Sequence, residues 1–119
     1  MKIKRTNPDF LNGVPELLML SLLARRPMHG YELVQSLHAA TGEALSFGEG
    51  CIYPILHRLE AEGLLMSRRE TAKGRSRLVY RVTARGAQRL SESTSLWQRV
   101  TAGIARALEG GEYGHAEMA

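Results

Sequence analysis

The stretch Ser46–Leu65, SFGEGCIYPILHRLEAEGLL, decides how the rest of the chain is interpreted. On a helical wheel its large aliphatic side chains fall within about 60° of Ile52, on one narrow face. The opposite face lacks the acids and lysines of an ordinary solvated surface and instead carries Gly50, Pro54, His57 and Ala61. We therefore expect a helix with one core face and one face that is presented to a partner.

Composition limits what surrounds this helix. A chain of 119 residues with 44% hydrophobic content holds one modest domain, with room for a segment that completes its core against a second copy. The formal net charge of +4 is only a weak indication of polyanion binding. The single cysteine, Cys51, excludes an intramolecular disulfide and suits a reducing cytosol. The apolar run Leu17–Ala24 is too short to span a bilayer, and no signal peptide is recognisable, so a soluble cytoplasmic protein without membrane contact is expected.

Three helices are predicted in the first half of the chain. The first runs from Phe10 to Arg25 and is apolar on almost every side, which indicates burial. The second runs from His29 to Ala40, with His29 as a poor but available cap and Glu32 as its partner. The third runs from Gly48 to Glu62, and Gly63 closes it. Residues 1–9 are predicted to form a flexible basic arm, for which an ordinary solvated terminus is the simpler interpretation.

After Gly63 the apolar period changes from 3.6 residues to 2, which predicts a β-hairpin. Its strands are expected at 64–70 and 77–82, joined by the polar turn TAKGRS. Between Arg68 and Arg81 the hairpin has one acid and six basic residues, a local charge of +5: Arg68, Arg69, Lys73, Arg75, Arg77 and Arg81. A merely solvated hairpin is the alternative to a phosphate-binding one.

A long last helix is predicted from Thr83, a good N-cap, to Leu108. Its apolar stripe spans about 140° of the wheel and needs a cover that the rest of the chain does not obviously supply. We expect a second copy to supply it, so residues 83–108 are predicted to form a dimerisation helix through Leu90, Leu96, Ile104 and Leu108. Residues 109–119 are predicted to form a disordered tail.

Three helices followed by a basic hairpin predict a mainly α fold with a β-hairpin wing, a winged helix-turn-helix over residues 10–82. In such a fold the third helix enters the major groove of double-stranded DNA and the wing reaches the backbone. Base contacts are expected from Tyr53, His57 and Arg58, although Arg58 is also placed to pair with Glu62 at i+4. Phosphate contacts are expected from Arg68, Lys73, Arg75 and Arg77. Because so few of these side chains distinguish bases, DNA shape is expected to contribute to specificity.

Three segments carry a family resemblance: LLMLSLLARRPMHGYEL (17–33), IYPILHRLEAEGLL (52–65) and YRVTARG (80–86). In this order and spacing they closely resemble the PadR family of bacterial transcriptional regulators, over about residues 11–108. The resemblance implies a winged helix with a C-terminal dimerisation helix, in the short branch of the family, and repression of a nearby gene that a small molecule relieves. A dimer of this kind would bind a pseudo-palindromic operator.

The resemblance also implies a site for a planar aromatic ligand. Some short members bind flat aromatic or cationic compounds in a pore between subunits, lined by the first and last helices around a tryptophan. Trp97 matches that position, and the neighbouring lining residues are expected at Phe10, Leu17, Val100 and Thr101. The alternative is that Trp97 is an ordinary core residue of an amphipathic helix.

Enzyme chemistry is not indicated. Gly48-Glu49-Gly50 lacks the third glycine and the strand-rich surroundings of a dinucleotide loop, and no nucleophile or paired-carboxylate arrangement stands out. The histidines lie on separate elements and have no metal-ligand spacing, so neither a metal nor a cofactor is expected. Cys51 is either a small structural residue or a redox sensor favoured by a helix N-terminus. Two functions remain: a ligand-responsive repressor, or a winged-helix adaptor that binds proteins.

Overall fold

The computed structural model describes residues 13–110. The helices are α1 (Val14–Arg25), α2 (Gly30–Ala40), α3 (Glu49–Ala61) and α4 (Ala84–Glu109). The strands are β1 (Met28–His29), β2 (Leu65–Ala72) and β3 (Arg75–Val82). This mainly helical architecture with a small wing and a long last helix confirms the predicted fold class. The predicted arm at residues 1–9, Phe10 and the tail from residue 111 lie outside the described residues.

The first helix starts later than its composition suggested. Gly13 occupies the N-cap position with φ +93°, in the left-handed region, so the helix begins at Val14 instead of Phe10. Pro15 lies in the first turn, where the missing N–H has no helical acceptor to lose. The helix is buried on several sides, as its all-round apolar sequence predicted, and Met19 and Leu20 have no exposed surface.

The second and third helices follow their predicted bounds to within one residue. Nδ1 of His29 accepts the backbone N–H of Glu32 at 3.3 Å, so the histidine does cap α2. Gly63 follows α3 with φ +82°, a conformation that glycine adopts without steric cost. From α3 the three residues Ile52, Leu56 and Leu59 are fully buried. They join α1, α2 and the base of the sheet in one core, which includes Leu23, Leu33, Leu37, Leu64, Leu65 and Tyr80.

The sheet has three antiparallel strands in the order β1-β3-β2, where only a two-stranded hairpin was predicted. The additional strand pairs Met28 with Tyr80 and His29 with Val79. We call β2, β3 and their turn the wing. The turn is only Lys73 and Gly74, tighter than the predicted TAKGRS, and both residues have positive φ, 54° and 77°. Two left-handed residues match the twist of the flanking strands, which lets pairing continue out to Ala72 and Arg75.

The junction between wing and α4 is closely packed. Thr83 caps α4 by accepting the N–H of Gly86, and its own hydroxyl donates to the carbonyl of Gly63 at 2.7 Å. Gly86 is buried, and a Cβ there would collide with the carbonyl oxygen of Leu64. We call residues 13–82 the head. The close contacts at the junction allow α4 to pack against the head in one defined orientation.

Candidate nucleic-acid interface

The outer face of α3 is open along its length. Gly50, Pro54, His57 and Ala61 are all exposed, while the opposite face is in the core, as the wheel predicted. Small residues at the start of the helix allow close approach of another surface, and the imidazole of His57 is the longest side chain among these four. The head thus presents one helix that has no cover within the described residues over its outer face.

Tyr53 is placed differently from His57. Its ring is half-buried against the start of α2, where a Cβ on Gly30 would lie 2.7 Å from the tyrosine hydroxyl oxygen. A side chain at position 30 would require the Tyr53 ring to move. Tyr53 therefore lies against the start of α2, whereas His57 is exposed on the outer face of α3.

Arg58 is directed away from Tyr53 and His57 by two carboxylates. Its guanidinium donates to Glu16 at 3.1 Å and to Glu62 at 3.3 Å, and Glu16 also accepts from Arg89 at 3.0 Å. The hydrogen bond to Glu16, and then the contacts with Glu62, raise the pKa of Arg58. The i+4 pairing that the sequence offered as the alternative for Arg58 is therefore present, and α1 adds a second partner.

The wing keeps most of its predicted positive charge exposed. Arg68, Lys73, Arg75 and Arg77 are exposed residues, and none has an acidic partner within salt-bridge distance among residues 13–110. Arg81 differs from them because it is half-buried and pairs with Glu70 at 3.3 Å. The four predicted phosphate ligands therefore lie on the wing as exposed cations without an acidic partner in that range, and Arg77 contacts Nε2 of His29 at 2.6 Å. Arg69 is a fifth exposed arginine, and it donates to the hydroxyl of Ser76.

A cleft of about 470 Å³ joins the wing to the helices. It brings together four of the predicted DNA-binding residues, Tyr53, His57, Arg75 and Arg77. We refer to it as the cleft; its remaining lining residues are His29, Gly30, Tyr31, Leu78 and Tyr80. Burial, and then the nearby Glu60 carboxylate, raise the pKa of Tyr80, so its hydroxyl stays protonated at neutral pH. A surface with cations, hydroxyls and no carboxylate in its lining suits the oxygen atoms of a nucleic-acid backbone.

His29, Tyr31 and Tyr80 line the cleft but are not among the residues predicted from the sequence to bind DNA. Tyr80 is buried, with its side chain in the core. The segment HGY at residues 29–31 was the available signal, because a polar residue, a glycine and a tyrosine at a helix start allow close approach of an anion. Only the pairing of β1 with β3 shows that this helix start lies beside the wing.

A second, apolar pocket of about 340 Å³ lies between α1 and α4, and we call it the α1–α4 pocket. Three of the residues predicted to line a ligand pore, Leu17, Trp97 and Thr101, lie together in this pocket of the single chain, and its other lining residues are Val14, Leu18, Ser21, Thr94 and Gln98. Val100 points elsewhere and is exposed, and Phe10 lies outside the described residues. Trp97 is half-buried against the head, so it is both part of the packing and part of a pocket wall.

The predicted dimerisation stripe is largely uncovered in the single chain. Leu90 packs against the head, but Leu96, Ile104 and Leu108 are 50%, 52% and 82% exposed. Val100 extends the same exposed series. Such a row of aliphatic side chains on a helix is a surface that monomeric proteins seldom leave open to water.

The described residues contain no group of three or more histidine, cysteine or acidic side chains placed to hold a metal ion. None of the helices in that range combines the length and apolar character needed to cross a membrane. Cys51 is exposed near the start of α3, but burial of its sulfur raises the thiol pKa. This direction is opposite to the lowered pKa that a reactive thiolate requires.

An exposed helix beside a basic wing, within a three-stranded sheet, is the arrangement of a winged helix-turn-helix DNA-binding protein. Comparison with known proteins identifies the family. The model of the PadR-like family of transcriptional regulators matches residues 19–92, so the chain belongs to the PadR-like family of DNA-binding regulators, which are not enzymes. The chain is 36% identical over 104 residues to the transcriptional regulator Rv3488 of Mycobacterium tuberculosis, covering 87% of this chain and 91% of that one.

Solved structures agree with this assignment. A PadR family transcriptional regulator from Eggerthella lenta is similar with a TM-score of 0.73 and 34% identity, covering 87% of this chain and 88% of that one. A PadR-like transcriptional regulator from Bacillus cereus is similar with a TM-score of 0.77 and 29% identity, covering 87% and 99%. The similarity extends over almost the whole length of these regulators, so it includes the last helix as well as the head.

Proposed function

We propose that this protein is a homodimeric repressor that binds a pseudo-palindromic operator near its own gene and is released by a small planar aromatic ligand. The observation that carries the DNA-binding part is that His57, on the uncovered face of α3, and two exposed arginines of the wing, Arg75 and Arg77, line one cleft. The proposed place of action is the cytoplasm, the compartment in which a bacterial chromosome is found.

The dimer is supported by the stripe on α4. Leu96, Val100, Ile104 and Leu108 recur at spacings of four residues on one side of the helix, and all four are exposed. The head does not cover them, and a second α4 would offer an identical apolar surface. An isologous contact between two copies is the simplest way to remove this stripe from water.

The ligand site is supported by the α1–α4 pocket. Its lining is mostly apolar, with Trp97 as the aromatic wall and Thr94, Gln98 and Thr101 as polar neighbours. Val100 of the exposed series is three residues from Trp97, so the two are neighbours on the helix surface and the pocket borders the proposed dimer surface. A flat ligand that stacks on the indole would therefore act between subunits as well as between α1 and α4.

Salt dependence tests the DNA-binding proposal. If the wings of a dimer neutralise about six phosphates, log affinity falls with log salt concentration at a slope of about −5. The double variant Lys73→Asn/Arg75→Gln removes two charges per subunit, and Asn tolerates the left-handed turn position, so the slope should flatten to about −2. The measurement is fluorescence anisotropy with labelled DNA from upstream of the gene, titrated at several salt concentrations.

The matched control removes the same charge elsewhere. Arg99 and Arg106 are exposed on α4, and Arg99→Gln/Arg106→Gln should leave the slope near about −5. Equal flattening by both double variants would mean that net charge alone drives binding. Salt-insensitive binding, or no binding to that DNA, would contradict the repressor and favour the protein-interaction adaptor.

Trp97 fluorescence tests the ligand proposal. Because Trp97 is the chain's only tryptophan, saturable quenching by a planar aromatic dye such as an acridine reports directly on the α1–α4 pocket. Thr94→Leu should weaken the binding by filling the pocket, whereas Ser95→Ala, one residue along α4 and exposed, should not. Quenching that persists unchanged in Thr94→Leu would place the dye elsewhere. Quenching that persists in a variant whose dimer has been disrupted would contradict a site between subunits.

A further inference from the structure

The carboxylate of Glu16, on α1, contacts arginines on two other helices. Its Oε1 accepts from Nη2 of Arg58 on α3 at 3.1 Å, and its Oε2 accepts from Nη1 of Arg89 on α4 at 3.0 Å. The carboxylate lies inward of both partners, since its side chain is 16% exposed and theirs are 47% and 39% exposed. Glu16 therefore shares one negative charge between the helix that we assign to DNA and the helix that bears the proposed dimer surface.

The contact between Glu16 and Arg89 joins the same two helices that form the α1–α4 pocket. Leu17, the residue after Glu16, lines the pocket from α1, and Trp97 lines it from α4. Packed helices shift by about 1–2 Å in conformational transitions, and a shift of about 1 Å would carry the 3.0 Å contact beyond hydrogen-bond distance. A ligand that enters between α1 and α4 therefore acts on this ion pair.

Loss of the contact with Arg89 changes how strongly Glu16 attracts Arg58. While both arginines are in place, each neutralises part of the carboxylate, but without Arg89 the whole charge acts on Arg58. Glu62 already accepts from Nη1 of Arg58 at 3.3 Å. A stronger attraction to Glu16 would hold both outer nitrogens of Arg58 to acids of its own chain and keep them from DNA.

We propose that Glu16 couples the α1–α4 pocket to DNA binding: a ligand in the pocket separates Arg89 from Glu16, and Glu16 then withholds Arg58 from DNA. The inference rests on the proposed function and assigns the ligand-induced release to one shared carboxylate. Glu16 is not in the lining of the pocket or of the cleft, so it acts through the two arginines as a positioning residue.

Two substitutions that break the same ion pair should change DNA affinity in opposite directions. Arg89→Gln leaves Glu16 to Arg58 alone, which imitates the bound ligand, and should weaken DNA binding about 2- to 5-fold per subunit. Glu16→Gln releases Arg58 and should bind DNA at least as tightly as the wild type. Fluorescence anisotropy with DNA from upstream of the gene, at one low salt concentration, measures both. If the ion pair only holds α1 to α4, both variants would bind more weakly, and the proposal would be overturned.

Matched controls separate this effect from net charge. Arg99→Gln removes the same charge from an exposed position of α4 and should bind DNA as the wild type does. Equal weakening by Arg99→Gln and Arg89→Gln would overturn the proposal. Glu62→Gln removes the same charge as Glu16→Gln and frees Arg58 from its other carboxylate, but it leaves the contact between Glu16 and Arg89 in place.

The response to a ligand provides the second test. The probe is 1-pyrenesulfonate, a planar aromatic dye whose negative charge opposes intercalation into DNA, and quenching of Trp97 reports its binding. Saturating dye should weaken DNA binding by the wild type, and couplings between two sites are typically about 5- to 150-fold. Glu16→Gln and Arg89→Gln should each reduce this factor about 2- to 5-fold, whereas Glu62→Gln and Arg99→Gln should keep it.

The outcomes distinguish this inference from the proposed function. If the dye weakens DNA binding by the wild type and by Glu16→Gln to the same extent, the coupling through Glu16 is wrong and the ligand-responsive repressor stands. If the dye quenches Trp97 but leaves the DNA affinity of the wild type unchanged, ligand-induced release is wrong and the coupling is overturned with it. Absence of quenching by this dye and by an acridine would remove the ligand site itself, and both proposals about the ligand with it.

Discussion

Helices α3 and α4 are both amphipathic, but the chain covers the apolar face of only one of them. In the 13 residues of α3, Ile52, Leu56 and Leu59 are fully buried by α1, α2 and the sheet. In the 26 residues of α4, only Gly86 is buried, and it lies in the first turn. Both helices carry an apolar stripe on the wheel, narrow in α3 and wide in α4, so the difference in burial arises from what packs against each stripe.

The head and the second half of α4, the two ends of the molecule, are therefore stabilised differently. The head has its own core, and its free surface is the polar one that we assign to DNA. Beyond the region around Leu90 and Trp97, α4 has little packing within the chain, and its exposed surface is apolar. Most of the stability of a helix in a protein comes from packing of its apolar face, so the second half of α4 is expected to depend on association.

The largest expected effect comes from removing the same side chain at each end. Leu56→Ala deletes fully buried atoms from the head and should lower the free energy of unfolding by about 2–5 kcal/mol at any protein concentration. Leu96→Ala removes a side chain that is half exposed in the single chain, so its cost should appear only through dimerisation and vary with protein concentration. Urea unfolding at two protein concentrations measures both.

Two results for the free energy of unfolding would contradict this contrast between Leu56→Ala and Leu96→Ala. A concentration-independent loss of several kcal/mol for Leu96→Ala would show that α4 is covered within its own chain. A loss of less than about 1 kcal/mol for Leu56→Ala would mean that the head is not the independently packed unit described above.

Two glycines of α4 provide the next test, because the same substitution should lower the free energy of unfolding at one position and raise it at the other. A methyl group on Gly86 would collide with the carbonyl oxygen of Leu64 and lie 2.9 Å from Cγ1 of Val82. Gly86→Ala should therefore cost about 1–3 kcal/mol. A methyl group on Gly103 would have nothing within 4 Å of its carbon, so Gly103→Ala should stabilise the helix by about 0.5–1 kcal/mol.

Thermal unfolding by circular dichroism measures these two changes. If Gly86→Ala were neutral, α4 could shift freely on the head, and the defined orientation at the junction would be wrong. Destabilisation by Gly103→Ala would indicate that another chain approaches α4 closely at that position, which would locate part of the dimer surface.

Regular periodicity explains which parts of the fold were predictable. The bounds of α3 agree with prediction within one residue because several local signals coincide: the apolar repeat marks the helix, Pro54 fits only its early turns, and Gly63 marks its end. The cap at His29 and the start of α4 at Thr83 were also local signals, each set by a few neighbouring residues. The start of α1 was wrong because its apolar composition does not show where the backbone turns left-handed, at Gly13.

The rest depended on residues that are distant in the sequence. A strand of two residues, β1, has no period to detect, and yet its pairing with β3 builds the cleft. His29 and Arg77 are 48 positions apart, and neither predicts the other. The predicted DNA-binding residues Tyr53, His57, Arg75 and Arg77 do line the cleft, whereas Arg58 is occupied by Glu16, an acid on another helix. Contact between elements, which periodicity does not encode, determined these outcomes.

The smallest predicted effect concerns Glu16, which links the two ends. Its side chain is 16% exposed and accepts from Arg58 of α3 and Arg89 of α4, so one carboxylate on α1 holds both helices. Glu16→Gln should cost about 0.5–1 kcal/mol, since both arginines are well exposed and solvent weakens their ion pairs. The loss should shrink at about 1 M salt, where exposed charges are screened. Glu62→Gln breaks only the contact within α3 and should cost about half as much. A cost for Glu16→Gln that is independent of salt would show that Glu16 contributes by packing and that α4 is not held to the head by charge.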